Sequence, residues 1–313
     1  MTTRILSISS PGGDRGPAVM HRNHIMACRE TKEFNIVDLN SHIWSSDEEL
    51  KKFDVAWGYV RFQPRILQRL RRLQIPVIGG PAIAMESAHD GIKDEYEKWY
   101  LTQSDVQVNL NVAKYYSDYV ATFVKNGMKC EVLEGCYDTS TFKSTYVEKD
   151  IDVLLYDKVR INDSHAKCNE RLSSLTSALK DVGLKYEILT YGKYDRKEYI
   201  DLCARSKIVA WLSIEDYASL AQIEAHLAGA CVVGTPYNLT IPAVADAVCH
   251  KSQTMSNWVS WNDTKLFSAD YLETIMKVLS IKGLEETVRK NALARHSFQT
   301  YRNNLSEIVK KIT

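Results

Sequence analysis

The chain has 313 residues, a length that suits two domains of roughly 150 residues each. An apolar share of 45% and a charged share of 25% are typical of a soluble globular protein, and a net charge of +1 provides no field to steer it onto nucleic acid. The seven cysteines include no CxxC pair, which argues against a disulfide framework and a cysteine zinc site and favours a reducing compartment.

The sequence also lacks targeting signals. Its N-terminus has no apolar stretch of the signal-peptide kind, and no later run approaches the ~20 apolar residues that span a bilayer. We therefore expect a cytoplasmic protein.

The first half alternates short apolar runs with helical spacing. The runs predict strands at Arg4–Ser9, Phe34–Leu39, Val55–Tyr59, Val77–Ile78 and Lys129–Leu133. The spacing predicts helices at Ala18–Glu30, Pro64–Leu73 and Val108–Asn126. Strands separated by helices indicate a parallel sheet covered on both faces.

A polar stretch, Lys143–Asp150, then precedes a second alternation, so we predict domains at 1–145 and 146–313. The second series predicts strands at Ile151–Tyr156, Lys185–Thr190, Ile208–Leu212 and Ala230–Gly234. Its helices are predicted at Ala166–Val182, Arg196–Arg205 and Ser219–Ala228, with a helical tail from Tyr271. The last amphipathic stretch, Phe298–Ile312, can pack on either domain.

Segment Ser213–Pro236 combines a strand end, acidic residues and a helix start. Ser219 and Gln222 have the spacing of a capping box, which would begin a helix near Leu220. The exposed backbone N–H groups of that helix would then lie at the carboxyl edge of the sheet, where they suit a diphosphate.

Charged residues surround that helix start. Glu215 and Asp216 are better suited to accept hydrogen bonds from hydroxyls than to approach a phosphate, because like charges repel. Lys158 and Arg160 follow a predicted strand at the same edge and could supply the cations. Each residue also has a simpler interpretation: a solvated loop for the two cations, a turn or helix cap for Asp216, and an exposed helix position for Glu224.

Segment Glu215–Pro236 resembles the donor-binding motif of the retaining GT-B glycosyltransferases of the family-4 type, in which two acidic residues seven apart precede an EA-small-residue-G-P-V-V stretch. Gly135–Phe142 resembles the N-G-V-D-x-x-x-F interdomain turn of that family. The resemblance runs from about Val132 to the C-terminus. It implies an α/β protein of GT-B fold, with two doubly wound Rossmann-like domains facing a central cleft, the second of which binds the donor.

The same resemblance implies roles for the second-domain residues. It places Glu224 on the ribose, and Asp216 or the adjoining Glu215 on the donor sugar. The backbone of Ser219 and Leu220 would meet the diphosphate at the helix start. By resemblance, the remaining donor contacts are Lys158 and Arg160 on the phosphates and Tyr191 near the base.

Two residues of the first half complete the implied site. His89 corresponds by position to a histidine that reaches the donor sugar, and the Gly13 loop would approach the donor with flexible backbone. A structural or solvated histidine and a plain tight turn are the simpler interpretations. A dinucleotide fingerprint is disfavoured, because Asp14 replaces the middle glycine of G-x-G-x-x-G.

The implied reaction is transfer of a hexose from a nucleoside-diphosphate sugar, UDP-glucose in the first instance, to a glycan, glycolipid or glycoprotein hydroxyl with retention of configuration. The departing phosphate would assist deprotonation of the acceptor, and neither a metal nor another cofactor is required. The alternatives are a sugar-nucleotide epimerase of the same fold and an inactive nucleotide-sugar-binding protein. The sequence does not specify an oligomeric state.

One further pattern has two interpretations. Arg65, Arg69 and Arg72 share a face of the predicted helix Pro64–Leu73, opposite a leucine-rich stripe. The face could make weak contact with a membrane surface or an anionic acceptor. A solvated face over a buried stripe is the alternative.

Overall fold

The structure, a computed structural model, describes residues 2–8, 16–38, 46–59, 64–80, 99, 102–109, 129–143, 147–157, 165–212, 220–234, 247–248 and 263–313. The strands within these residues are β1 (Thr3–Ile8), β2 (Phe34–Asp38), β3 (Val55–Gly58), β4 (Val77–Gly79), β5 (Val106–Asn109), β6 (Cys130–Val132), β7 (Ile151–Asp157), β8 (Tyr186–Thr190), β9 (Ser206–Trp211), β10 (Cys231–Gly234) and β11 (Ala247–Val248). The helices are α1 (Gly16–Arg29), α2 (Asp47–Leu50), α3 (Pro64–Arg72), α4 (Ser140–Lys143), α5 (His165–Asp181), α6 (Arg196–Arg205), α7 (Leu220–Leu227), α8 (Thr264–Leu279), α9 (Leu284–Arg295) and α10 (Phe298–Lys310).

The chain forms two compact units. The first contains Met1–Asp138 together with His296–Thr313, and the second contains Thr139–Arg295. The sequence-based division at 145 and 146 lies a few residues later than this one, which falls inside the Gly135–Phe142 turn. The structure also assigns the last helix, which the sequence alone left free to pack on either domain, to the first unit.

Both units are built on a parallel sheet with the same arrangement of its first strands. The first sheet has the order β2-β1-β3-β4-β5-β6, and the second has the order β8-β7-β9-β10-β11. All their strand pairs are parallel. In each sheet the second strand in sequence lies on one side of the first strand, and the third strand lies on its other side. This is the doubly wound pattern.

Alternating side chains bury both faces of the second sheet. Leu154 and Tyr156 of β7 pack against α6 and α7, whereas Val153 and Leu155 pack against α5 and α8. A period of two along a strand sends successive side chains to opposite faces. From Val153 to Tyr156 every position of the strand is apolar and buried, so this part of the strand is covered on both sides, as the Ile151–Tyr156 run predicts.

The predicted helix Val108–Asn126 is wrong at its N-terminal end. The spacing predicts a helix from Val108 to Asn126, but residues Val106–Asn109 form β5 between β4 and β6. Val106 and Val108 are both buried on this short strand. Two valines separated by one residue fit a strand as well as a helix start, and pairing with both neighbours decides for the strand. Residues 110–126 lie outside the described part of the chain.

The arginine face of α3 has anionic partners within its own unit. Arg69 donates to Asp47 at 2.5 Å, and Arg72 donates to the same carboxylate at 2.7 Å. On the opposite face, Ile66, Leu67 and Leu70 are buried in the core, as predicted. These contacts favour the interpretation of a solvated face over a buried stripe.

Helix α10 returns to the first unit and packs against α1. Tyr301 stacks on His24 with ring centroids 4.6 Å apart, and His24 stacks in turn on Trp57 of β3. Burial lowers the pKa of His24 to about 3, so this imidazole is neutral at physiological pH. Arg302 adds a hydrogen bond to the Ala27 carbonyl at 3.2 Å. The last helix is therefore part of the first core.

We predict that Leu305→Ala, which removes a fully buried side chain of α10, destabilises the first unit by about 2–5 kcal/mol. Hydrogen exchange should show faster exchange of α1 and β1–β3 amides than of β7–β10 amides. The control is Asn304→Ala, at the exposed neighbouring position of the same helix. Equal protection losses in both units would show that α10 does not belong to the first core.

Candidate functional site

The strands β7, β8 and β9 are neighbours in the second sheet and end at the same carboxyl edge. β7 pairs with β8 on one side and with β9 on the other, so the strand order reverses beside β7. Open α/β sheets bind ligands at such a point, outside the carboxyl ends of the two strands that flank it. Lys158 directly follows β7, and Ser213–Ser219 follows Leu212 just after β9.

Backbone hydrogen bonds hold the starts of these segments side by side. The Tyr191 N–H donates to the Asp157 carbonyl at 2.8 Å, and the Leu212 N–H donates to the Tyr156 carbonyl at 3.2 Å. Three segments therefore leave the sheet from adjacent points. They begin at Lys158, Tyr191 and Ser213.

Most of the predicted site residues lie outside the described part of the chain. These are Gly13, His89, Lys158, Arg160, Glu215, Asp216 and Ser219. The structure describes Tyr191, Leu220 and Glu224. The described part of the site therefore consists of these three residues and the elements that hold them.

Helix α7 carries Glu224 and is fixed at its C-terminal end by two cations. Lys149 donates to the Gly229 carbonyl at 3.0 Å, and Arg289 donates to the Leu227 carbonyl at 3.2 Å. Gly229 ends the helix with φ of +92°, a left-handed conformation that favours glycine. Positive charge at this end also complements the helix dipole. The described part of the helix begins at Leu220.

Glu224 is buried and forms an ion pair. Only 8% of its side chain is exposed, and Arg196 at the start of α6 donates to its Oε1 from Nε at 2.9 Å and from Nη2 at 2.7 Å. The arginine side chain is 54% exposed. The simpler interpretation of Glu224 as an exposed helix residue is therefore wrong.

Burial and the arginine act in opposite directions on this carboxyl. Burial raises the pKa of Glu224, and the Arg196 guanidinium lowers it by charge and by hydrogen bonding; burial has the larger effect, so the pKa is raised. Charging a carboxyl in a buried place costs free energy that a packed apolar residue would not incur. Such a perturbed carboxyl near a ligand-binding edge is a candidate functional group.

A layer of aromatic rings lies beneath the ion pair. Tyr156 of β7 stacks on Trp211 of β9 with ring centroids 4.1 Å apart, and its hydroxyl lies 2.5 Å from that of Tyr194. Tyr194 stacks on Tyr199 of α6, whose hydroxyl donates to the Ala221 carbonyl in the first turn of α7 at 2.5 Å. These contacts fix α6, the loop before it and α7 relative to one another.

Tyr191 lies at the open end of this layer. It follows β8 and remains 51% exposed, in contrast to the buried tyrosines beside it. An exposed ring next to a ligand-binding edge offers a surface on which a planar base can stack. The role of Tyr191 as a base contact therefore stays a prediction.

Solved structures share this architecture over the whole chain. HepE from Anabaena, solved in complex with UDP-glucose, has a TM-score of 0.57 at 10% identity, and the match covers 98% of this chain and 99% of HepE. Sucrose-phosphate synthase from Thermosynechococcus elongatus has a TM-score of 0.59 at 10% identity, covering 99% of each chain. The lipopolysaccharide outer core galactosyltransferase WaaB has a TM-score of 0.58 at 10% identity, covering 99% of this chain and 100% of WaaB.

The chain has the GT-B fold. Its two Rossmann-like α/β units, each with a parallel doubly wound sheet, are those the sequence predicts. No protein-family model matches the sequence, and no curated protein matches it. At 10% identity the structural likeness establishes the fold alone.

The capping box predicted for α7 involves Ser219, which lies outside the described part of the chain. In that motif the Gln222 side chain accepts a hydrogen bond from the backbone of Ser219, but here the side chain is buried and its amide atoms have no hydrogen-bond partner in the described part of the chain. The Gln222 side chain is buried in the packed interior of the unit.

Arg196 is the site residue that the sequence analysis missed. The sequence indicates it only as the first residue of a helix, and its partner Glu224 lies on the next helix along the chain. Only the packing of α6 beside α7 brings the two together. A capping residue just before it, Asp195, fixes where α6 begins and hence where the arginine points.

The described residues contain neither a metal cluster nor a membrane-spanning helix. No group of histidine, cysteine, aspartate and glutamate among them could hold a metal ion. No helix in the same ranges is long and apolar enough to cross a membrane.

The raised pKa of Glu224 predicts a pH-dependent stability. The folded protein holds this proton more tightly than the unfolded chain, so its contribution to stability is complete below the unfolded pKa and is lost as the pH rises through the folded pKa. Glu224→Gln removes the ionisation. We expect its unfolding midpoint to exceed that of the wild type at neutral pH and to converge with it in acid, as measured by thermal unfolding over a pH series. Exposed Glu286→Gln serves as the control, and a parallel pH dependence of wild type and Glu224→Gln would contradict the prediction.

Proposed function

We propose that this chain is a glycosyltransferase that transfers a hexose from a nucleoside-diphosphate sugar to a hydroxyl group. One observation carries the proposal: a buried, arginine-paired carboxylate, Glu224, lies on the helix that follows the switch-point strand β9. A buried charge that costs stability is retained most readily where a ligand uses it. Ribose hydroxyls are suitable donors to a carboxylate.

The chemistry of the surrounding segments supports a nucleotide-linked sugar as the ligand. Tyr191 offers its exposed ring to the base, and Glu224 accepts from the ribose. Lys158 and Arg160, which follow β7, neutralise the diphosphate together with the N–H groups at the start of α7. All these contacts come from segments that follow β8, β7 and β9, three neighbouring strands of the second sheet.

The reaction itself depends on stabilising the leaving group. Negative charge grows on the departing diphosphate, and fixed cations and backbone donors stabilise it without a metal. Asp216 or Glu215 holds the hexose, and the leaving phosphate takes the acceptor proton, which gives retention of configuration. His89 and Gly13 keep the donor-contacting roles that the family-4 resemblance gives them.

The proposal also specifies the donor, the acceptor and the cellular location. UDP-glucose is the first donor to test, and the structural likeness to HepE, which was solved with that ligand, supports this choice. The acceptor is a glycan, glycolipid or glycoprotein. A cytoplasmic location is supported by the absence of a CxxC pair among the seven cysteines of the sequence.

Nucleotide binding is tested by thermal shift with UDP, GDP, ADP, CDP and dTDP. A ligand that binds only the folded state at 100 times its Kd stabilises it by about 2.7 kcal/mol, so the preferred nucleotide should raise the unfolding midpoint clearly. Glu224→Ala should lose most of this shift, whereas Glu286→Ala should keep it. No shift with any of the five nucleotides would overturn the proposal, and a full shift in Glu224→Ala would overturn the ribose contact.

Turnover is tested by release of UDP from UDP-glucose, with and without acceptor sugars and in the presence of a chelator. Lys158→Ala and Arg160→Ala should each lower kcat about 10²- to 10³-fold, because each removes a group that stabilises the leaving diphosphate. Lys290→Ala, an exposed position on α9, is the control. Nucleotide binding without UDP release would instead identify an inactive binding protein, and interconversion of sugars without acceptor would identify an epimerase.

A further inference from the structure

The Arg196–Glu224 ion pair uses only one carboxylate oxygen. Both contacts of the guanidinium fall on Oε1. Among the described residues, no contact is made to Oε2, and the side chain keeps a small exposed fraction. A carboxylate held at one oxygen has a fixed orientation, and its second oxygen can still accept hydrogen bonds.

Arg196 is itself held rigidly at the base of its side chain. Asp195 caps α6 by accepting from the Glu198 N–H at 2.8 Å, so the helix begins directly at the arginine. Three residues further along, Tyr199 ties α6 to the first turn of α7 through the Ala221 carbonyl. The arginine therefore reaches Glu224 from an element whose position relative to α7 is fixed.

We propose that Arg196 is a positioning residue for nucleotide recognition, which holds Oε1 of Glu224 so that Oε2 accepts a hydrogen bond from a ribose hydroxyl. This inference rests on the proposed function, because it takes the ligand to be a ribonucleoside diphosphate. It adds to that function a residue that acts through Glu224 without contacting the nucleotide.

The charges around Glu224 give the arginine a second effect. Of the described groups that face the carboxyl, Tyr194, Tyr199 and Cys203 are neutral, because burial raises the pKa of each of them. From α9, Arg289 is directed to the Leu227 carbonyl. Arg196 is the described cation that favours the ionised carboxylate, and an ionised acceptor makes the stronger hydrogen bond. Without it the pKa of Glu224 rises further.

The test compares the affinities of UDP and 2′-deoxy-UDP by calorimetry over a pH series. A hydrogen bond to a charged group contributes about 1.5–3 kcal/mol, so the wild type should bind UDP more tightly by roughly 10-fold or more. Arg196→Gln should bring the ratio of the two affinities towards one. Because Glu224 then takes up its proton at higher pH, whatever preference for UDP remains should also disappear at higher pH than in the wild type. Arg196→Lys should retain part of the ratio, because it keeps the charge without the planar fork.

Arg205→Gln is the matched control. Arg205 ends the same helix and pairs with Asp150 at 2.7 and 3.0 Å, away from Glu224, so its loss should leave the ratio unchanged. A wild-type ratio and pH profile in folded Arg196→Gln would overturn the positioning role while leaving the proposed function intact. If Arg196→Gln does not fold, an unchanged ratio in Arg196→Lys has the same meaning. Failure of the wild type to bind UDP would overturn both.

Discussion

The parallel pairing of β7 with both of its neighbours is the constraint on which the candidate site depends. Since all three strands run in the same direction, the segments that follow them emerge at one edge. The chain must also cover both faces of the sheet with helices, so α6 and α7 come to lie side by side over the aromatic layer. The proximity of Arg196 and Glu224 is a consequence of this arrangement.

Burying the Glu224–Arg196 ion pair beside this sheet edge costs folding stability. An apolar residue at position 224 would avoid the cost of burying a charge. The unit instead keeps a carboxylate with a raised pKa and places an arginine beside it. Cations at the other end of α7 and tyrosines beneath it hold the helix in place. Stability supplied by these contacts offsets what the carboxylate costs.

The sequence predicted the fold more completely than the site, for physical reasons. The strands β1, β7 and β9 are dense apolar runs, and burial on both faces leaves such runs no other stable arrangement. β5 was misassigned because four residues carry too little pattern, and its neighbours in the sheet decide its conformation. Arg196 was not predicted as a site residue because its role depends on a contact between two helices, which no local sequence pattern encodes. The motif around Glu224 was recognisable because it lies within one continuous segment.

Helix α10 connects the two ends of the first unit. Tyr137 forms a β-bridge with Ser297, and His296 donates to the Gly135 carbonyl at 2.9 Å. The segment that leaves the first unit and the segment that returns to it are therefore hydrogen-bonded to each other. The second unit is therefore an insertion within the first. On the ribosome, residues 1–138 emerge early but cannot complete their core until residues 296–313 have been synthesised. The second unit, which is continuous in sequence, is free to finish folding first.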